Sequence, residues 1–219
     1  MKATTLLLIA GTLIAALPTA AQAQPEYIKD NAVKLARKVG VHFNTSIREP
    51  IDDDVTKGTT FGASIGLSPG RTNGWRYPFG FTMFGENLLS PNGQEFAELR
   101  SRAILAGIGY GWHFGKLSTG ASLQTGYSFN RTRLQGDLLS AFSVPSGAVS
   151  VHAGNALLLR PQVKAEYFIT PKFTFRISAD YMLTRPEITV TTLAGTIDDR
   201  WDASNAHANI GFGFYPFRK

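Results

Sequence analysis

Residues 173–183 read FTFRISADYML. Phe173, Phe175, Ile177, Ala179, Tyr181 and Leu183 take every second place, with Thr174, Arg176, Ser178, Asp180 and Met182 between them. Strand side chains alternate between two faces, so this segment is a strand with one apolar face and one face bearing an arginine and an aspartate. Two architectures accept such a strand. A soluble β-domain turns the apolar face into a core. A membrane barrel turns it out to lipid and keeps the charges in its lumen.

The same alternation recurs at 38–47, 59–67, 75–84, 98–114, 117–133, 156–169 and 205–217. In 98–114, Glu98, Arg100 and Arg102 share parity with Ile104, Ile108, Tyr110 and Trp112, which predicts a bulge or a loop-to-barrel transition near 102–104. Arg160, Lys164 and Glu166 share the polar face of one strand, and Arg176 and Asp180 that of the next. If those faces are interior, the charges are expected to pair there.

The connections choose between the architectures. SPGRTNG, GK and TPK are short and carry turn residues. REPIDDDVTKG, GENLLSPNGQEFA, LQGDLLSAFSVPSGAVSVHAGN and TRPEITVTTLAGTIDDRWDAS are long, and the two kinds alternate along the chain. An up-and-down barrel then has all its short turns at one rim and all its long loops at the other, the asymmetry of outer-membrane barrels. An eight-stranded barrel has room inside for side chains and little else. The Gly, Ser, Thr and Asn of the polar faces suit that lumen; the large residues suit lipid. The fold expected is all-β, an eight-stranded antiparallel up-and-down transmembrane β-barrel over residues 38–219. An exported soluble β-barrel that binds a small apolar ligand is the alternative, with every face reversed.

The first residues agree with export. Lys2, an apolar run over 6–17 and the triplet Ala21-Gln22-Ala23 make a signal peptide over 1–23, too short for a spanning helix. Residues 24–37 are read as a periplasmic segment. No later run is long enough for a spanning helix, so a mature chain that enters lipid does so as a closed barrel. The chain has no cysteine, which excludes disulfides and a lipidated N-terminus. The net charge of +6 falls by one when Lys2 leaves with the signal, and the basic residues are scattered, so no nucleic-acid partner is expected.

Signal, strand count, loop alternation and the aromatic last strand ANIGFGFYPF resemble the eight-stranded outer-membrane β-barrel domain proteins of Gram-negative bacteria, the opacity-protein and OmpA-type group. That resemblance implies a place in the cell outer membrane after Sec export, a lipid environment, and recognition of the last strand by the barrel-assembly machinery. The chain departs from the pattern by continuing to Arg218 and Lys219 past Phe217.

Little in the sequence carries chemistry. His42, His113, His152 and His207 lack metal-ligand spacing, and His42 and His207 fall on strands that become neighbours on closure. GIGYGWHFG misses the dinucleotide fingerprint. Asp52, Asp53 and Asp54 read as a solvated loop run, and Asp198, Asp199 and Arg200 as a loop salt bridge. Ser150 and His152, with Asp137 in the same loop, are the nearest thing to a nucleophile and base at the outer rim, where a barrel enzyme acting on lipid would need them. No catalytic, cofactor-binding or metal-ligating residue is assigned and no cofactor is expected. The role expected is structural or surface-binding, or porin-like passage of small solutes, with a partner or small molecule at the long loops. Ile188, Val190 and Leu193, with Leu138, Leu139, Phe142 and Val144, are expected to pack as a cap over the barrel.

Overall fold

A computed structural model of the chain describes residues 38–50, 58–67, 72–89, 95–134, 149–193 and 195–218. The signal and periplasmic segments, Asp52 to Asp54, Asp137, Leu138, Leu139, Phe142 and Val144 lie outside the described residues.

Eight strands close into a barrel: β1 (Val39–Pro50), β2 (Gly58–Leu67), β3 (Gly74–Leu89), β4 (Glu95–Phe114), β5 (Leu117–Leu134), β7 (Ala156–Phe168), β8 (Phe173–Thr184) and β11 (Asn205–Phe214). Each pairs antiparallel with the next, and β1 pairs with β11 to seal the wall. The remaining strands, β6 (Val149–Ala153), β9 (Glu187–Thr192) and β10 (Gly195–Arg200), form a separate three-stranded sheet in the order β10-β9-β6. Gly115 makes the tight β4–β5 turn with Lys116; its φ of 62° is the left-handed region where glycine carries no steric penalty.

The barrel is inside-out. On β1, Ile47 is 71% exposed while the adjacent Arg48 is 0% exposed. The same contrast runs around the wall: Phe79, Ile108, Leu123, Val163, Ile177 and Phe212 are exposed, and Arg76, Gln124, Arg160, Glu166, Asp180 and Asn209 are buried. In water this exterior would be a very large apolar patch. In lipid it is solvated, and each large side chain kept out of water contributes roughly 1.5–3 kcal/mol. The soluble alternative is thereby excluded.

Aromatic residues ring the short-turn rim. Trp75 meets Tyr110 edge-on at 5.6 Å, Tyr110 meets Trp112 at 5.3 Å, and Phe173 lies 4.9 Å from Phe214. Tyr127 and Phe129, 5.4 Å apart, mark the other boundary. On β4 the ten-residue step from Trp112 to Arg102, at about 3.3 Å per residue and about 40° of tilt, spans about 25 Å of the membrane normal. That is the height of the apolar band in barrels of this kind.

Two expectations are corrected here. No bulge lies near residues 102–104: β4 pairs with β5 in unbroken register from Ala97↔Leu134 to Phe114↔Leu117. Arg100, Arg102 and Ile104 all face outward, because the strand runs out of the hydrocarbon and into the headgroup layer. Depth changes along this face; register does not. The irregularity against β3 comes at the hairpin tip, between Leu88 and Leu89. The second long connection is also less of a loop than its composition suggests, since β3 and β4 continue pairing to Leu89 and Glu95.

Candidate functional site

The lumen is built from three polar layers. Nearest the short-turn rim, Glu166 of β7 is the hub. It accepts hydrogen bonds from Tyr215 Oη at 2.9 and 3.1 Å and from Thr174 Oγ1 at 2.8 Å. His42 Nε2 lies 3.3 Å and Arg76 Nη1 3.6 Å from its two oxygens. Arg76 also donates to Ser118 Oγ at 2.5 Å. Three glycines make room for this cluster. A Cβ at Gly111 would collide with the Arg76 guanidinium, one at Gly40 with the Tyr215 ring, and one at Gly213 with Thr174 and His42.

Asp180 of β8 is the second hub. Arg160 donates to it from Nε at 2.7 Å and Nη2 at 2.6 Å, Asn209 from Nδ2 at 2.7 Å and Gln162 from Nε2 at 3.3 Å. His207 Nδ1 lies 2.8 Å away, which places the ring proton on that nitrogen. Arg176 donates to Gln162 Oε1 at 2.9 Å, linking this layer to the strand of Glu166.

The third layer faces the long-loop end. Arg48 Nη1 donates to Glu86 Oε1 at 2.6 Å, and Asn205 Nδ2 donates to the same oxygen at 3.1 Å. Beside it Phe84, Ala103, Leu105, Leu158 and Met182 pack as a buried apolar cluster. Leu158 and Met182 sit one lumenal position outward of Arg160 and Asp180, so apolar packing follows directly on the charge layer. Higher still, Ser101 donates to Asn130 Oδ1 at 2.7 Å, and Trp201 and Leu134 pack on Ala97.

The expected pairing of charges on neighbouring strands holds for Arg160 with Asp180. Glu166 instead draws His42, Arg76 and Tyr215 from strands remote in sequence. The two histidines expected to meet on closure do both face the lumen, in different layers. His113 is half-buried and His152 exposed.

At the long-loop end the three-stranded sheet attaches to the barrel through Asn130, whose Nδ2 donates to the Gly154 carbonyl at 2.7 Å, and through Thr132, which donates to the Val151 carbonyl. It does not close as a cap: Ile188 and Val190 are half-buried, but Leu193 is 88% exposed. Ile197 on β10 is 68% exposed. The three strands hydrogen-bond to one another with β9 between β10 and β6. Asp198 and Asp199 form no ion pair with Arg200; Asp198 accepts from Thr189 Oγ1 at 2.6 Å and Asp199 from the Arg200 amide at 2.7 Å. Ser150 and His152 are both exposed on β6, and among the described residues no hydrogen bond joins them. No group of metal-ligating side chains forms among the described residues.

No family model and no curated protein matches the chain. Solved structures do match in fold. The outer membrane protein OprG from Pseudomonas aeruginosa superposes with a TM-score of 0.65 at 11% identity, covering 80% of this chain and 94% of that one. Neisserial surface protein A gives 0.56 at 12% identity, covering 81% and 97%. The outer membrane protein AlkL, solved in lipid bilayers, gives 0.53 at 13% identity, covering 80% and 88%. The protein has the fold of the eight-stranded outer-membrane β-barrels. Its apolar belt and charged interior fit a wall set in lipid, independently of those likenesses.

Proposed function

We infer that the barrel is a closed, non-catalytic support whose work is done at the cell surface, where the β6–β9–β10 sheet binds a partner. The observation that carries this is the filled lumen. Side chains occupy it from Tyr215 at one rim through the Glu166, Asp180 and Glu86 layers to Trp201 at the other, so the barrel supplies position and rigidity. The sheet supplies exposed surface, with Leu193 and Ile197 among charged neighbours. Liposomes carrying the purified protein should admit small hydrophilic sugars no faster than empty liposomes. Intact cells carrying Thr196→Cys, the only thiol in the chain, should react with an impermeant maleimide. Rapid sugar entry, or labelling only after the membrane is broken, would overturn the reading.

A second reading, sideways passage of small apolar solutes into lipid, has one observation in its favour. Pairing between β7 and β8 stops after Leu159↔Leu183 and resumes at Gln162↔Asp180, across Pro161, which has no amide hydrogen to give. An apolar groove lined by Leu157, Leu159 and Leu183 opens there, backed by Leu158 of the lumenal cluster. Uptake of an apolar fluorophore by cells, reduced by Leu158→Arg, is the result that would favour passage over display.

A further inference from the structure

The outward face of β4 and β5 carries four arginines where the barrel leaves the hydrocarbon. Arg100 stands opposite Arg131, Arg102 opposite Phe129, and Arg133 opposite Glu98. All four arginines are exposed. Glu98 is the single acid on this face of the two strands among the described residues, and it accepts from Arg100 Nε at 2.7 Å. Like charges directly opposite each other on a sheet repel. An unbalanced cluster of this kind is a ready anion site, and arginine forks suit phosphate geometry.

Directly beneath the arginines, on the same face, runs an apolar groove. Ile104, Ala106, Tyr127, Phe129 and Leu157 line it, and Gly126 forms its floor, open to Leu105 behind. The cross-strand pairs descend without interruption from Arg100↔Arg131 through Arg102↔Phe129 and Ile104↔Tyr127 to Ala106↔Thr125. On the β3 side Arg100 is flanked by Gly85, which offers no side chain to shield it. The guanidinium groups lie about 25 Å along the membrane normal from the Trp112 girdle, at the headgroup level of the outer leaflet.

We propose that this face is a lipid-binding site that takes a phosphorylated glycolipid of the outer leaflet, its phosphate held by Arg100, Arg102, Arg131 and Arg133 and an acyl chain laid in the groove below. The occupant must be anionic at one end and apolar at the other. A free phosphate would leave the groove unused, and an acidic protein arriving from outside would not reach below the headgroup plane. The site goes beyond surface display and does not depend on it.

The test uses the full-length mature protein in detergent and diphosphorylated lipid A as the probe, with bound lipid counted by native mass spectrometry. The folded protein should retain one lipid. The paired changes Arg100→Gln with Arg131→Gln, and Arg102→Gln with Arg133→Gln, should each weaken binding at least about tenfold, as loss of charge-assisted contacts requires. Ala106→Trp, which fills the groove and leaves the arginines in place, should weaken it as well. The heat-modifiable band on an SDS gel reports folding, and Arg100→Lys with Arg131→Lys, which keeps the charge and loses the fork, serves if a glutamine pair does not fold. Equal retention of fully dephosphorylated lipid, or unchanged binding by the folded arginine variants, would overturn the site. Full competition by inorganic phosphate would reduce it to a simple anion site and would also refute the lipid assignment.

Discussion

Arg160 grips Asp180 through both Nε and Nη2, at 2.7 and 2.6 Å, inside the barrel and out of reach of solvent. A carboxylate in that position is tolerable because its two oxygens also receive His207, Asn209 and Gln162. The lumen thus repeats in miniature the rule for any buried charge: it must be paired and its remaining lone pairs satisfied. Three strands, β7, β8 and β11, are fastened to one another at that single side chain, so the layer acts as a cross-brace within the wall.

Removing one partner should therefore cost far more than removing both. Asp180→Ala leaves Arg160 and His207 buried without their anion and should destabilise the barrel by about 3–5 kcal/mol. Arg160→Met combined with Asp180→Leu should recover a large part of that loss. Urea unfolding of the refolded protein in detergent, read by tryptophan fluorescence, measures both; additive losses would show that the two side chains are not coupled.

The glycines around Arg76 give a steric test of the inner layer. Gly111→Ala thrusts a methyl into the Arg76 guanidinium and should cost about 1–3 kcal/mol, the usual penalty of overpacking. Gly115→Ala is the control: nothing lies within 4 Å of its new methyl, and only the backbone conformation at φ 62° opposes it, at about 1 kcal/mol. The temperature at which the compact gel band disappears should fall clearly more for Gly111→Ala than for Gly115→Ala.

At the outer rim, Asp202 is held below the usual carboxylate range by the Ser204 hydroxyl first, then by the Ser204 amide and by Arg185. A depressed folded pKa adds stability that is complete above the unfolded value, about 3.9, and is lost as pH falls through the folded one. The turn bearing Trp201 should accordingly hold between pH 7 and 5 and loosen below about pH 4. Trp201 emission in a Trp75→Phe, Trp112→Phe background follows this, and Asp202→Asn should abolish the acid transition. Because Arg185 and Asp202 are exposed, the effect on global stability should be small.

Much of this architecture is legible in the sequence, and the illegible parts share a cause. Alternation identified all eight barrel strands, because a period of two is a local property, and the alternation of short turns with long loops indicated which face of FTFRISADYML meets lipid. Arg160 with Asp180 was legible because their strands are adjacent in both chain and space. The partners of Glu166 were not: His42, Arg76 and Tyr215 come from β1, β3 and the end of β11, and only the stagger of the closed barrel brings them together. Residues 102–104 misled because parity records which face a residue takes and says nothing of its depth in the membrane. The sheet of β6, β9 and β10 passed for loop because ITVTT and GTIDDR are too short and too mixed to signal burial, and their pairing is set by the rim that anchors them. The arginine face needs the β4–β5 register to be seen at all, since Arg100 and Arg131 are far apart in the chain.

Depth along β4 and β5 yields the last prediction. Ile108 lies opposite Leu123, near the middle of the roughly 25 Å band between Trp112 and Arg102. A charge there must be drawn into hydrocarbon, and Ile108→Arg should destabilise the barrel by about 2–4 kcal/mol. Ile104→Arg, only two residues from Arg102 and so closer to the headgroups, should cost less, because a long side chain can bring its charge up to the interface. Leu193→Arg, out on the exposed sheet, should cost nothing measurable. Unfolding free energies in phospholipid vesicles for the three variants should fall in that order. A cost at Leu193 as large as at Ile108 would mean that the sheet, too, is in lipid, and the boundary drawn at the arginines would have to move outward.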